Sequence, residues 1–317
     1  MRFSLTGRKK SLKNLAKTLD VVCTLCYNNN VKRTQQGESS RAKAQGQERK
    51  GVLQHMTKRV AFINGKGGCG KTTSIFHVSG VLSKRGEKVL VIDLDKQRNT
   101  TSILLMNTEI PEKTVLDFMT GEAEAEEVTA QALFQTRGNA KPKHYGVDVM
   151  GSDVRLQDEA ELSRIDGEAV GERLQRFIEQ QGYTWVLVDM PPSNMTLNNI
   201  CFKYLVDYAI IPFSSDIFSV DGYGDIMDVL DKAREENPTL NVLGVYLARY
   251  MGQCGLDKYI REQLLEYPTF IDIQIPLASD VREAVMFGRP ISYYKMFSNS
   301  KSAYERLVDE MEIRMRA

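Results

Sequence analysis

Residues 64–74 read N-G-K-G-G-C-G-K-T-T-S, and this stretch decides the fold. Gly65, Gly70, Lys71 and Thr72 satisfy the spacing G-x-x-x-x-G-K-[ST] of a phosphate-binding loop. In such a loop the backbone N–H groups cradle phosphates, the lysine meets the β/γ charge and the hydroxyl meets Mg²⁺. Lys66 exceeds that minimum. At the loop's entry it is badly placed to fold back onto its own nucleotide and well placed to reach one held by a facing copy, which predicts a nucleotide-sandwich dimer.

The flanks carry the context that such a loop requires. Residues 58–64 (K-R-V-A-F-I-N) form a short apolar run suited to a buried parallel strand. Residues 71–84 place Ile75, Val78, Val81 and Leu82 at helical spacing. The order is strand, glycine loop, helix, and the helix N-terminus adds its positive end to the phosphate cradle. A glycine-rich turn before an ordinary helix is the plain alternative.

A second strand is predicted over residues 88–95 (K-V-L-V-I-D-L-D), ending in two carboxylates. Asp93 and Asp95 are two apart, so on a strand they share a face. They either point at what the loop holds, since ligands sit at the ends of parallel strands, or cap the next turn. A third strand is predicted over residues 183–189 (Y-T-W-V-L-V-D). Its terminal Asp189 suits Mg²⁺ held by way of water. Strands alternating with helices give an α/β fold, a doubly wound, mostly parallel sheet with helices on both faces.

K-G-G-C-G-K-T-T at 66–73, D-L-D-K-Q-R-N-T-T at 93–101 and V-D-M-P-P at 188–192 resemble the deviant Walker-motif ATPases, and among them the ParA-type DNA-partition proteins. Residues 209–213 (A-I-I-P-F), 244–250 (G-V-Y-L-A-R-Y) and 275–288 (I-P-L-A-S-D-V-R-E-A-V-M-F-G) follow in that family's order. The resemblance runs from about Met56 to the C-terminus. It implies ATP and Mg²⁺ as cofactors. Lys66 would contact the nucleotide of a partner subunit, Lys71 would hold the β/γ-phosphates, and Gly67, Gly68, Cys69 and Gly70 would line the cradle. Thr72 would ligate the metal, Thr73 would help bind the α-phosphate, Asp189 would hold the metal's water and Asp95 would place the attacking water. Pro212 and Arg249, in the later segments, complete the implied cofactor-binding set. Phosphoryl transfer needs placement and charge neutralisation more than covalent chemistry, so these few residues, with Lys66, Lys71 and Asp95 as the catalytic ones, suffice for slow hydrolysis.

One departure stands beside Asp95. The family usually has Pro and Gly around the following glutamine, whereas this chain has Lys96 and Arg98. Losing Gly removes easy access to positive φ, so a different backbone path and weaker hydrolysis are expected, unless both are simply solvated loop residues.

The chain has 317 residues, 42% hydrophobic and 26% charged, with a formal net charge of +1, and can bury one sizeable core. Its five cysteines are odd in number and scattered, which points to reduced thiols in the cytoplasm. Only Cys23 and Cys26 form a C-x-x-C pair, too few ligands for structural zinc, and no cysteine pair of the cluster-bridging kind is present. Charge is divided unevenly: residues 1–55 carry +9 and residues 56–317 carry −8. The first part, 1–55, reads as a basic, largely disordered N-terminal extension, and 56–317 as the ATPase domain. The extension is alternatively a DNA-reading element, or Met56 is the biological start. Residues 101–181 read as helical and polar, with an acidic solvated stretch at 121–128, a loop at 139–143, a short strand at 147–150 and a helix at 172–181.

The resemblance implies an ATP-dependent homodimer that binds nonspecific DNA in the cytoplasm, on the nucleoid. A ParB-like centromere-binding or adaptor protein would stimulate hydrolysis and release it. Arg282 matches an arginine in a family region linked to DNA contact. A MinD-like membrane regulator would need a basic amphipathic tail, but residues 300–316, with Tyr304, Leu307, Val308 and Met311 on one face, read as a final helix packed on the sheet, so no membrane is expected. A metabolic or redox member of the superfamily is the third class.

Overall fold

The structure, a computed structural model, describes residues 57–135, 141–192, 194–214, 231, 234 and 237–316. The expected basic extension with Cys23 and Cys26, Met56, and part of the loop expected at 139–143 lie outside the described residues.

Eight strands form one sheet in the order β3-β4-β2-β5-β1-β6-β7-β8. They are β1 (Lys58–Phe62), β2 (Val89–Asp93), β3 (Thr129–Phe134), β4 (Lys143–Met150), β5 (Trp185–Asp189), β6 (Tyr208–Phe213), β7 (Asn241–Tyr250) and β8 (Phe270–Pro276). Every neighbouring pair is parallel except β3 with β4. Parallel strands covered on both faces read as continuous apolar runs. All five residues of β2 and of β5 are buried accordingly. Successive side chains serve opposite faces. Leu90, Ile92, Val186 and Val188 pack with Leu174 and Ile178 of the helix Gly167–Gln181. Val89, Val91, Trp185 and Leu187 pack on the other face with Ile75 and Val78 of the helix Lys71–Lys84, and with Tyr304 and Leu307 of the helix Asn299–Arg316.

The last helix buries Tyr304, Leu307, Val308 and Met311, the face expected from the sequence. It meets the helix Lys71–Lys84 through Tyr304 and His77, whose ring centroids are 4.8 Å apart. Arg314 anchors its far end by donating to the carbonyls of Leu243 at 2.9 Å and Phe270 at 2.9 Å.

Two sequence expectations are corrected. The second strand ends at Asp93, not Asp95. The stretch 101–181 is not simply helical, because it holds β3 and a β4 that begins at Lys143, well before the expected 147. The reason for β3 is visible in T-A-Q-A-L-F, where Ala130, Ala132 and Phe134 are buried in alternation, a period of two overlooked within a polar segment. The helix expected at 172–181 starts earlier, where the Asp166 carboxylate accepts from Ala169 N at 3.1 Å as an N-cap, and ends at Gly182 with φ 69°. In the acidic stretch Glu122, Glu124, Glu126 and Glu127 are exposed, as a solvated face requires.

Candidate active site

The loops that follow β1, β2 and β5 open at the C-terminal edge of the sheet, where open α/β sheets hold ligands. The first is fixed by Asn64. Its buried amide donates to the Pro212 carbonyl on β6 at 2.7 Å and accepts from Lys66 N at 2.9 Å, so the loop's entry is pinned across two strands. Gly68 and Gly70 take φ of 76° and 100°, and a Cβ on Gly70 would stand 3.3 Å from the Ala248 side chain. Lys71, 6% exposed, turns back into the loop, with Nζ 3.1 Å from the Asn64 carbonyl and 3.4 Å from that of Lys66. Its charge is thus already held at the mouth of the cradle.

Asp93 and Asp189 face one another across β2 and β5, paired in register and both buried. Burial raises the pKa of each above the usual carboxylate range, and for Asp93 the adjacent Asp189 adds to the rise. Their surroundings separate their roles. Asp93 Oδ2 accepts from Thr101 N at 2.8 Å and Thr101 Oγ1 at 2.7 Å, and its Oδ1 accepts from Asp95 N at 3.1 Å. The expectation that Asp93 and Asp95 share a ligand-facing face is therefore corrected: Asp93 caps the following turn. Leu94 N still donates to the Asp189 carbonyl at 3.0 Å, and the pairing stops there because the Asp95 N–H turns to the Asp93 carboxylate. Asp189 Oδ2 accepts from Thr72 Oγ1 at 2.7 Å and Thr100 Oγ1 at 2.6 Å, while its buried Oδ1 has no hydrogen-bond partner.

That unpartnered oxygen fits a hard cation's water. Among the described residues no group of three or more His, Cys, Asp or Glu could hold a metal by itself. A cation here would rest on the Thr72 hydroxyl, ligand oxygens and water, with Asp189 behind them, the arrangement expected of Mg²⁺ bound with phosphates.

Asp95 is half-buried on the wall of a cavity of about 680 Å³. Its Oδ1 accepts from Gln97 N at 3.0 Å, and its carbonyl accepts from Arg98 N at 2.8 Å and from the buried Ser152 hydroxyl at 2.7 Å. Arg98 itself adopts φ 57°, the left-handed region that Gly enters without steric cost. The cost of that conformation is roughly 1–2 kcal/mol relative to Gly. Lys96 donates to Gln157 Oε1 at 2.9 Å.

The same cavity is lined by Gly67, Gly68, Gly70, Lys71, Thr72 and Thr73. Arg249 and Arg282 stand on its wall, and Ile275, Leu277 and Val281 give it an apolar side. Arg249, at φ 57°, donates Nη1 to the Gly68 carbonyl at 2.7 Å and so bridges β7 to the loop. Arg282 is exposed on the helix Ser279–Met286. Lys66, Cys69, Pro212 and Asp189 are not on the cavity wall. Lys66 is half-exposed at the loop's entry, Cys69 is packed beneath the loop, Pro212 receives Asn64, and Asp189 lies behind Thr72. Sequence reasoning missed Gln97, Asn99, Thr100 and Ser152. The first three lie inside the quoted 93–101 motif, whereas Ser152 carries no local signal.

An AAA-domain family matches residues 57–242. An uncharacterized protein of Pseudomonas putida is 30% identical over 268 residues, covering 82% of this chain and 97% of that protein. The chromosome partitioning protein ParA of Caulobacter vibrioides is 28% identical over 263 residues, covering 81% and 94%. The septum site-determining protein MinD of Pyrococcus horikoshii, solved with Mg-ADP, superposes with a TM-score of 0.62 at 24% identity, covering 81% of this chain and 96% of that one, a likeness of fold. The chain belongs to the AAA-domain family of P-loop ATPases. Within it, the chain is one of the ParA/MinD deviant Walker ATPases, on the side of the ParA and Soj partition proteins.

Proposed function

We propose that this chain is a nucleotide-dependent DNA-partition switch. It binds ATP with Mg²⁺, closes as a homodimer, holds nonspecific DNA, and is released when a ParB-like centromere-binding or adaptor protein stimulates hydrolysis to ADP and phosphate. The observation that carries the reading is the convergence of Lys71, Thr72 and Asp95 on one cavity, with the Asp189 carboxylate behind Thr72 and one of its oxygens without a hydrogen-bond partner.

The loop's N–H groups bind the phosphate chain, and Lys71 neutralises its β/γ end. Thr72 can give an oxygen lone pair to the cation while its O–H stays on Asp189, since a hydroxyl both donates and accepts. Mg²⁺, when bound, offsets the charge of the phosphate chain. Asp95 orients the attacking water, and Lys66 reaches the nucleotide of the facing copy. With so few groups in play, catalysis is positioning and electrostatics, and slow turnover suits a switch.

DNA is favoured over a membrane because the final helix buries its apolar face on the sheet. No described helix is long and apolar enough to cross a membrane. Arg282 and Arg249, at the cavity wall, give DNA a surface that nucleotide can influence. The setting proposed is the cytoplasm, on the nucleoid. The test compares binding to random-sequence duplex and to anionic liposomes in one buffer, with ATP and with ADP. ATP-dependent DNA binding is expected. Liposome binding without DNA binding would favour the membrane-regulator reading, and neither would point to a metabolic member.

A further inference from the structure

The hydrogen bonds at Asp189 contain a donor that the nucleotide chemistry does not call for. Thr72 approaches Oδ2 from the helix Lys71–Lys84, and Thr100 approaches the same oxygen from the helix Asn99–Leu104, at 2.7 and 2.6 Å. Thr100 is 1% exposed and does not line the cavity. The other oxygen, Oδ1, is buried and has no partner.

A carboxylate held by one hydroxyl can swivel and exchange its oxygens, whereas two donors converging on one oxygen from different helices fix which oxygen is free. Thr100 also follows Asp95 by five residues, and its neighbour Thr101 binds Asp93. One turn of backbone therefore ties the carboxylate beside the cation to the loop that carries the water-placing carboxylate. On the nucleotide and Mg²⁺ reading given above, we infer that Thr100 is a positioning residue for the cation: its buried hydroxyl locks Asp189 with Oδ1 toward the metal's water.

Thr100→Val removes the hydroxyl and keeps the branched shape, Thr100→Ala removes both, and Thr100→Ser keeps the hydroxyl. Wild type and variants are saturated with ADP and titrated with Mn²⁺, the free ion being read by electron paramagnetic resonance. ADP binding is measured separately in EDTA, and thermal melting reports the fold. Partners that orient a metal's ligands typically change metal affinity by about 10–100-fold, and Thr100, one hydrogen bond further from the metal, belongs at the lower end of that range. The expected result is a Mn²⁺ dissociation constant raised about 10-fold or more in Thr100→Val and Thr100→Ala and restored in Thr100→Ser, with metal-free ADP affinity within about 2-fold of wild type. A purely structural role would lower melting temperature and ADP affinity together without a selective loss of metal, and that outcome overturns the assignment. So does unchanged Mn²⁺ affinity in either hydroxyl-free variant. Wild-type protein that binds no ADP overturns the nucleotide reading itself, which separates the two failures.

Discussion

Asp93 and Asp189 sit abreast on β2 and β5, in direct register and both buried, yet one is saturated by its own turn and the other keeps a free oxygen. Two like charges this close in a low-dielectric interior raise each other's cost of ionisation. Asp93 is stabilised by backbone and Thr101 donors, whereas Asp189 Oδ1 keeps no hydrogen-bond partner, the oxygen that the proposed function gives to the cation's water. On the proposed function this division separates a structural acid from a functional one, although both end apolar strands in the same manner.

Lys71→Ala is expected to weaken ATP and ADP binding by roughly 10–100-fold, because a charged hydrogen bond to phosphate is removed from a preformed cradle. Isothermal titration against both nucleotides measures it. Unchanged affinity would remove the loop from the site.

Lys66→Ala should bind nucleotide as wild type does but fail to dimerise with ATP and fail to turn over, since on the proposed function the phosphate it reaches lies across the interface. Size-exclusion chromatography with ATP, beside a phosphate-release assay, checks both halves. Wild-type turnover would return Lys66 to an ordinary surface lysine.

Asp95→Ala should retain ATP and persist as the closed dimer, with hydrolysis slowed about 100-fold or more, the usual loss when a residue that activates the nucleophile is removed. A variant that stays monomeric with ATP, or releases phosphate at the wild-type rate, contradicts the role.

Arg282→Ala should weaken binding to random duplex and lower the salt slope by roughly 0.9 for each DNA phosphate that is no longer neutralised. Protein lacking residues 1–55 should bind more weakly yet keep its preference for ATP over ADP. Equal affinity with the two nucleotides in the truncated protein would leave the basic extension as the DNA-binding element.

His77 provides a pH test. It is fully buried against Phe76 and Tyr304, and its Nδ1 accepts from Ile291 N at 3.0 Å. Burial pushes its pKa from 6.5 to about 3. The folded state therefore disfavours the proton that the unfolded chain takes up below pH 6.5. Stability is fully present above 6.5 and falls as pH drops toward 3, by about 1.4 kcal/mol per pH unit from this group. Urea unfolding at pH 7 and pH 4.5 should show a loss of roughly 2–3 kcal/mol in wild type that is missing from His77→Gln. An identical pH dependence in the two proteins would exclude His77 as the source.

Much of the fold was legible because its signals are local. β1, β2 and β5 are buried on both faces, so their apolar runs stand out unaided. The last helix was legible from Tyr304, Leu307, Val308 and Met311, which repeat at helical spacing. β3 was missed because half of its residues face solvent and its alternation is carried by two alanines and one phenylalanine, too faint against polar surroundings.

The sequence by itself determined the phosphate loop, the order of its acids and the class of chemistry, because Gly68, Gly70, Lys71 and Thr72 act through backbone freedom and functional groups only residues apart. Tertiary structure alone decided what those groups face. Thr100 and Thr72 meet on Asp189 from 89 and 117 residues away, and Ser152 reaches Asp95 from 57 residues away. Such pairings depend on which strands lie side by side. That is set by the burial of whole faces, so no window of neighbouring residues can contain it.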